Sequence, residues 1–283
     1  MSYSSTLSAD RALAILELLV QEAHGVSPGP AQGMSTGVSL SQVAQRLDLP
    51  LSTTHRLLGA LVSRHYARQN PVTEHYEATL SVAALGLRLL ANTGLSDVYQ
   101  PILDDLAEAT GELVRLAVLE GGNLIWIAKA QGARSAIRYD PVSGRHAPLH
   151  ATAMGKAWLA TLPEQEALRI VAAAGFTGAT GRNAVTTEAG LRAELRKTRE
   201  QGYGLVDEEA DPGISAVAMV VRDAAGPGRP VVGCVSIGGP TFRLSHERLV
   251  GFLPPLRDAV ERLSDLWPVR AYHAREPRRS KAV

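Results

Sequence analysis

The chain has 283 residues, 45% of them hydrophobic, and a formal net charge of +1. That length favours two domains with real cores, and that charge argues for neither a membrane surface nor a polyanion sponge. The lone Cys234 excludes an intramolecular disulfide and a cysteine-based zinc site and suits a reducing cytoplasm, and no apolar run reaches transmembrane length.

The first predicted element is an amphipathic helix over residues 12–20, interrupted by Glu17 and without a basic leader, hence not a signal peptide. Residues 24–37 (HGVSPGPAQGMSTG) predict a flexible loop from their glycine, proline and serine content. Residues 38–78 then read as helix, tight turn, second helix and short hairpin, the order of a winged helix-turn-helix. Ser39 or Ser41 caps a helix over 42–47 whose Val43, Ala44 and Leu47 share one face. Asp48, Leu49 and Pro50 break it, because proline disfavours helical geometry in the residue before it. Leu49 plugs the angle between the helices. Ser52 takes the next N-cap, and Thr54, Leu57, Leu58, Leu61 and Val62 recur at helical spacing.

This leaves Ser52, Thr53, His55 and Arg56 facing outward on the first turns of the second helix, the end that meets base edges in such motifs. Tyr66, Ala67 and Arg68 run extended, Asn70-Pro71 turns, and His75, Tyr76 and Glu77 return as a wing held by Tyr66 and Tyr76. A plain helical hairpin with a solvated polar face is the competing reading. Charge does not decide between them, since residues 1–78 hold five arginines, no lysine and six acids.

Beyond the wing, residues 80–91 (LSVAALGLRLLA) predict a helix too apolar to stand in water alone, so it packs on a partner or another subunit. Residues 92–94 are a break, and a helix over 97–110 stops at Gly111. Strands over 113–120 and 123–130 flank Gly121-Gly122, a hairpin signature. A further strand is expected over 136–139, a loop over 144–152, and helices over 153–162, 163–174 and 188–201. Strands return at 203–207, 217–222 and 231–237, and one long helix over 246–267 ends the fold. The pattern is α+β, with helices on one or both faces of a sheet. The arginine-rich tail after Pro268 predicts disorder.

The segments DRALAILELL, LPLSTTHRLLGALV, PLHATAMGKAWLA, VDEEADPGISAVAMVVRD and VSIGGPTFRL occur in this order, and from about Ala9 to Leu266 the chain resembles the IclR family of bacterial transcription regulators. The resemblance implies a winged helix-turn-helix over 1–79, a linker helix over 80–94, a GAF-like α/β effector domain over 95–267 and a basic tail over 268–283. It also implies homodimers, often paired as homotetramers, that bind operator DNA and answer to small metabolites. It places Ser52, Thr53 and Arg56 on the recognition helix and Arg68 on the wing. It puts the effector against the sheet near the helix starting at Ala153, where free backbone N–H groups favour a carboxylate. Met154 and Gly155 lie at that end, and Asp207 and Ser236 match positions giving polar contacts in relatives.

The chain departs from the family's habits at several points. Leu51 stands where lysine is common, Glu74-His75 where a Gly-Arg turn is common, and the loop over 24–37 is longer than usual. Ala216 stands where cysteine is frequent, and Gly238 replaces the second serine of a Ser-x-Ser pair. Loss of those polar groups predicts an effector larger and less polar than a two-carbon oxoacid, such as an aromatic carboxylic acid.

Other residues admit two readings. Asp207, Glu208 and Glu209 are pocket acceptors or a solvated acidic turn. His146 and His150, near Arg138 and Arg145, bind an anion or are loop histidines satisfied by the backbone. An enzyme reading draws Cys234, His150 and Asp207 as nucleophile, base and orienter of a hydrolase or acyl-transferase. Against it, Cys234 sits inside the apolar run VVGCVSIGG, and the chain has no Gly-x-Ser-x-Gly elbow, phosphate loop or HExxH spacing. A ligand-binding scaffold without DNA activity is a third reading. The expectation is therefore a cytoplasmic, non-enzymatic regulator without cofactor, metal or membrane contact. Its partners are double-stranded operator DNA, an effector and further copies of itself.

Overall fold

The computed structural model describes residues 3–23, 37–93, 95–141, 147–224 and 228–267. Residues 24–36 of the predicted loop over 24–37, the residues Arg145 and His146, Gly94 in the predicted break and the basic tail lie outside the described residues. The chain forms two units, Met1–Asn92 and Thr93–Val283.

In the first unit, α1 (Tyr3–Glu22) buries Ile15 and Leu19 against α3 (Leu51–Ser63), extending the predicted helix at both ends. Before α3 comes α2 (Leu40–Arg46), started by a capping box: the Ser39 hydroxyl accepts from Gln42 N, and the Gln42 side chain accepts from Ser39 N. Asp48 turns the chain with φ 50°, and Leu49 packs on the core between the helices. Ser52 is not the cap of α3. Pro50 holds that position, without a side-chain bond, and Ser52 stands inside the first turn. A proline is well suited there, since its fixed φ is compatible with entry into a helix.

The wing consists of β1 (Ala67–Gln69) and β2 (Tyr76–Ala78), paired antiparallel with Arg68 opposite Glu77. Val38 bridges to Tyr76 from the other side. Tyr76 is buried and lies opposite Gln69, whereas Tyr66 precedes the ladder and accepts from Thr79 N through its carbonyl, so the two tyrosines do not face each other. Next, α4 (Leu80–Thr93) runs through the predicted break as far as Thr93.

The second unit is a five-stranded antiparallel sheet between two helical layers. In chain order its strands are β3 (Leu113–Glu120), β4 (Asn123–Gln131), β5 (Gly204–Asp207), β6 (Ile214–Arg222) and β7 (Val231–Pro240). Their spatial order is β4-β3-β7-β6-β5. Gly121 and Gly122, at φ 57° and 79°, make the tight β3–β4 hairpin turn. One face carries α5 (Leu95–Thr110) and α10 (Leu253–Leu266), over a core including Leu103, Leu116, Val235 and Leu256. The other carries α6 (Ala153–Leu159), backed by α8 (Glu188–Gln201) and α7 (Glu164–Ala174). The α+β architecture is as expected.

Three predicted elements differ. Residues 136–139 form no strand. The Ser135 hydroxyl accepts from Ile137 N and Arg243 donates to Ile137 O, so side chains take the groups a ladder would need. The helix from Ala153 ends at Leu159, closing through tight turns before Pro163, which forces Leu162 out of helical geometry. The final helix is two helices, α9 (His246–Gly251) and α10, divided at Phe252. Pro254 and Pro255 lack the N–H groups that would continue the ladder from α9.

Candidate functional site

Two places concentrate chemistry, one in each unit. On α3, Thr54, Leu57, Leu58 and Leu61 are buried, and the helical repeat turns residues 52, 55 and 56 away from them. Ser52, His55 and Arg56 are accordingly exposed, and Thr53 is half-buried. On the wing, Arg68 is 73% exposed but bonded through Nε and Nη2 to Glu77 Oε2 at 3.1 and 2.8 Å. Its charge is therefore shared with a carboxylate. At the wing tip the Asn70 side chain accepts from the N–H groups of Val72 and Thr73, and Glu74 takes φ 58°. That left-handed backbone is the one glycine adopts freely.

In the second unit a cavity of about 350 Å³ lies between the sheet and α6. Strand pleating builds its floor, because alternate residues face one side. Leu113 pairs with Gly238, Gly238 with Ala216, and Ala216 with Val206, so one row crosses four strands. Arg115 and Ser236, another cross-strand pair, form the next row. Thr152, Ala153 and Met154 supply a wall, and Tyr139, Pro141 and Pro148 also line the space. Gly238 matters for its volume. A Cβ there would lie 3.2 Å from that of Ala216.

Of the residues expected at this site, Met154, Ala216, Ser236 and Gly238 line the cavity together, and Gly155 and Asp207 are not among its lining. Pleating explains Asp207: it follows Val206 and faces the opposite side of the sheet, where its carboxylate accepts from Ser215 Oγ at 2.8 Å. Gly155 serves the chain itself, since a Cβ would stand 2.2 Å from the Leu149 carbonyl oxygen. Its N–H is already bonded to the Thr152 hydroxyl, the N-cap of α6.

The sequence reading missed Arg115, Trp126, Tyr139 and Asp211. Arg115 is buried, and its guanidinium carbon stands 3.6 Å from the Trp126 ring centroid, a cation–π stack. The Tyr139 hydroxyl donates to Asp211 Oδ2 at 2.6 Å. The signal for Arg115 was present: a charge inside LVRLAVLE, in step with Leu113 on an otherwise apolar strand.

Behind α6 lies a buried ionic cluster. Lys156 has no exposed surface and donates to Glu209 at 2.6 Å and Glu194 at 2.8 Å. Glu209 is buried, and burial pushes its carboxyl above the usual range, with Lys156 pulling the other way. His150 is buried against Phe176, their ring centroids 5.3 Å apart. Burial and then Lys156 lower its pKa. Glu208 pairs instead with Arg182. Cys234 is fully buried, donates to Met154 O at 3.6 Å, and burial raises its thiol far above the ordinary range. A thiol so placed stays protonated, and Asp207 faces the other side of the sheet from it.

Among the described residues no helix is long and apolar enough to cross a membrane, and no group of histidine, cysteine and acidic side chains has the arrangement of a metal site.

Comparison with known proteins places these parts together elsewhere. The family model for the IclR helix-turn-helix domain matches residues 8–71, and that for the C-terminal part of the bacterial transcriptional regulator IclR matches 87–265. The HTH-type transcriptional regulator BhcR of Paracoccus denitrificans is 32% identical over 90% of this chain and 85% of its own. The crystal structure of an IclR transcriptional regulator from Alicyclobacillus acidocaldarius superposes with TM-score 0.74 at 24% identity, over 91% of this chain and 97% of that one. A double mutant of the inducer-binding domain of PobR from Acinetobacter, in complex with 3-hydroxybenzoic acid, matches 61% of this chain and 98% of its own. Its identity is 25% and its TM-score 0.54.

Proposed function

Since the chain belongs to the IclR family of bacterial transcriptional regulators, we propose that it grips or releases operator DNA according to a carboxylic acid held in the cavity of its second unit. The observation that carries the effector class is Arg115. It is a buried guanidinium at the cavity floor, stacked on Trp126 and paired in register with Ser236, among otherwise mostly apolar walls. A guanidinium and a hydroxyl together suit a carboxylate, and the apolar remainder suits a ring. About 350 Å³ is ample for a single-ring acid and wasteful for a two-carbon one. The relative bound to 3-hydroxybenzoic acid supports the same class.

On the DNA side, Ser52, Thr53, His55 and Arg56 are the base-reading residues of α3, and Arg68 meets the backbone from the wing. Leu80, Leu85, Leu87 and Leu89 of α4 are 85%, 49%, 66% and 53% exposed, a surface that a second copy of the helix covers. Dimers so formed read an inverted repeat with half-sites ~34 Å apart or a multiple of it. Effector and DNA are then linked through their different affinities for the arrangements of the dimer.

The test is a thermal-shift screen with aromatic acids and aliphatic oxoacids, followed by a DNA-shift assay with the stabilising compound. Arg115→Ala weakens binding of that acid by ~10–100-fold, the worth of a charge-assisted bond. Wild-type affinity in the variant overturns the reading.

A further inference from the structure

We infer that Asp211 is a specificity-determining residue of the cavity, selecting an acid that carries a hydrogen-bond donor, hydroxyl or amino, remote from its carboxylate. The inference rests on the carboxylate–Arg115 reading above and concerns the other side of the same space.

Two lining residues carry opposite formal charge, Arg115 and Asp211. The sheet register sets them apart. Arg115 pairs with Ser236, whereas Ile214, just after the turn holding Asp211, pairs with Pro240 at the far end of β7. β3 and β6 are also separated by β7. At ~4.8 Å between strands and ~3.4 Å per residue, the two side chains approach the cavity from well-separated places. A single-ring acid anchored at Arg115 therefore turns its other end toward Asp211.

Asp211 is half-buried, and the one side-chain bond to its carboxylate among the described residues is the Tyr139 hydroxyl on Oδ2. An ionised carboxylate has two oxygens and roughly four acceptor sites, so that bond leaves most of its capacity. The phenol also holds the carboxylate in place, which lowers the cost of ordering it when a ligand arrives. A donor is the group that satisfies Asp211 there. A second carboxylate is repelled, and an ether or halogen buries the oxygens unpaired.

The experiment is titration calorimetry on the full chain with 4-hydroxybenzoate, 4-aminobenzoate, 4-fluorobenzoate, 4-methoxybenzoate and terephthalate. Fluoro and methoxy bracket the hydroxyl in size without donating. Wild type is expected to bind a hydroxy or amino acid ~10-fold or more tighter than both, and terephthalate weakest. Which donor wins separates hydroxy acids from amino acids. Asp211→Ala loses the preference, whereas Tyr139→Phe, which breaks the same bond from the other side, keeps it. A carboxylate that merely pinned the loop would make the two variants alike. Equal affinity for hydroxy and fluoro or methoxy acids in wild type, or the same ratio in Asp211→Ala, overturns the donor site while leaving the Arg115 reading in place. Failure of every acid to bind overturns both.

Discussion

Replacing Lys156 by methionine isolates the energetics of the ionic cluster behind α6. The ammonium is removed at nearly constant volume, and Glu209 is left buried without its only side-chain partner among the described residues, Oε2 having none already. Glu194 is one-third exposed and recovers water. Breaking a buried pair from one side costs ~3–5 kcal/mol when the remaining charge stays ionised. Glu209 has another course, which is to take up a proton. From its ordinary value of 4.5 that costs ~1.36 kcal/mol per pH unit, or ~3.4 kcal/mol at pH 7 and ~0.7 kcal/mol at pH 5.

The sign follows. A carboxyl whose folded pKa is raised favours the folded state fully only below its unfolded pKa, and that advantage is lost as pH rises through the folded value. The variant should therefore be ~3 kcal/mol less stable than wild type at pH 7 and recover most of the difference by pH 5. All three tryptophans, Trp126, Trp158 and Trp267, belong to the second unit, so tryptophan fluorescence during denaturation of the full chain reports on that unit. A difference below ~1 kcal/mol at pH 7, or one that does not shrink on acidification, would refute the burial argument.

Three further outcomes are expected. Arg56→Ala should leave folding intact and weaken operator binding by ~1–3 kcal/mol in a DNA-shift assay at fixed salt, without altering effector affinity; unchanged operator affinity removes Arg56 from the reading head. Leu85→Glu, at an exposed leucine of α4, should lower the mass seen by light scattering, and an unchanged mass means that α4 is not a dominant contact. Gly155→Ala sets a Cβ against the Leu149 carbonyl and should lower the stability of the second unit by ~1–3 kcal/mol or more, and a neutral result shows that the Leu149 segment yields readily.

What could be read from the chain followed the range of the interactions concerned. The helix-turn-helix was legible because its determinants are local: a capping serine, Pro50 to stop the first helix, and apolar repeats on α3, although the start of α3 lies at Pro50 and not at the expected Ser52. The helix at Glu188–Gln201 carries its own cap and its Gly202 stop, and was found to the residue. The cavity was half legible. Met154, Ala216, Ser236 and Gly238 came from family resemblance, which tracks aligned positions. Asp207 fell off the lining because strand parity turns it away, a difference of one residue that similarity alone does not resolve. Tyr139 and Asp211 meet across 72 positions of chain, and no local pattern announces such a pair. Nothing local in the segment PLHATAMGKAWLA marks Lys156 as a buried charge. Its burial depends on Glu194 and Glu209, which arrive from elsewhere in the fold.

Every residue of α6 is buried, and the helix lies close enough to β5 that a Cβ on Gly204 would stand 2.0 Å from the Ala153 carbonyl oxygen. An element in that position has little evolutionary slack, because most substitutions must move a neighbouring backbone. The row Leu113, Gly238, Ala216 and Val206 is different, since the side chains of Leu113, Ala216 and Val206, and the missing one of Gly238, border the cavity itself. Retuning of this receptor, by descent or by a biosensor engineer, is thus channelled into the floor, where one residue at a time can be exchanged while the helix above serves as a fixed template.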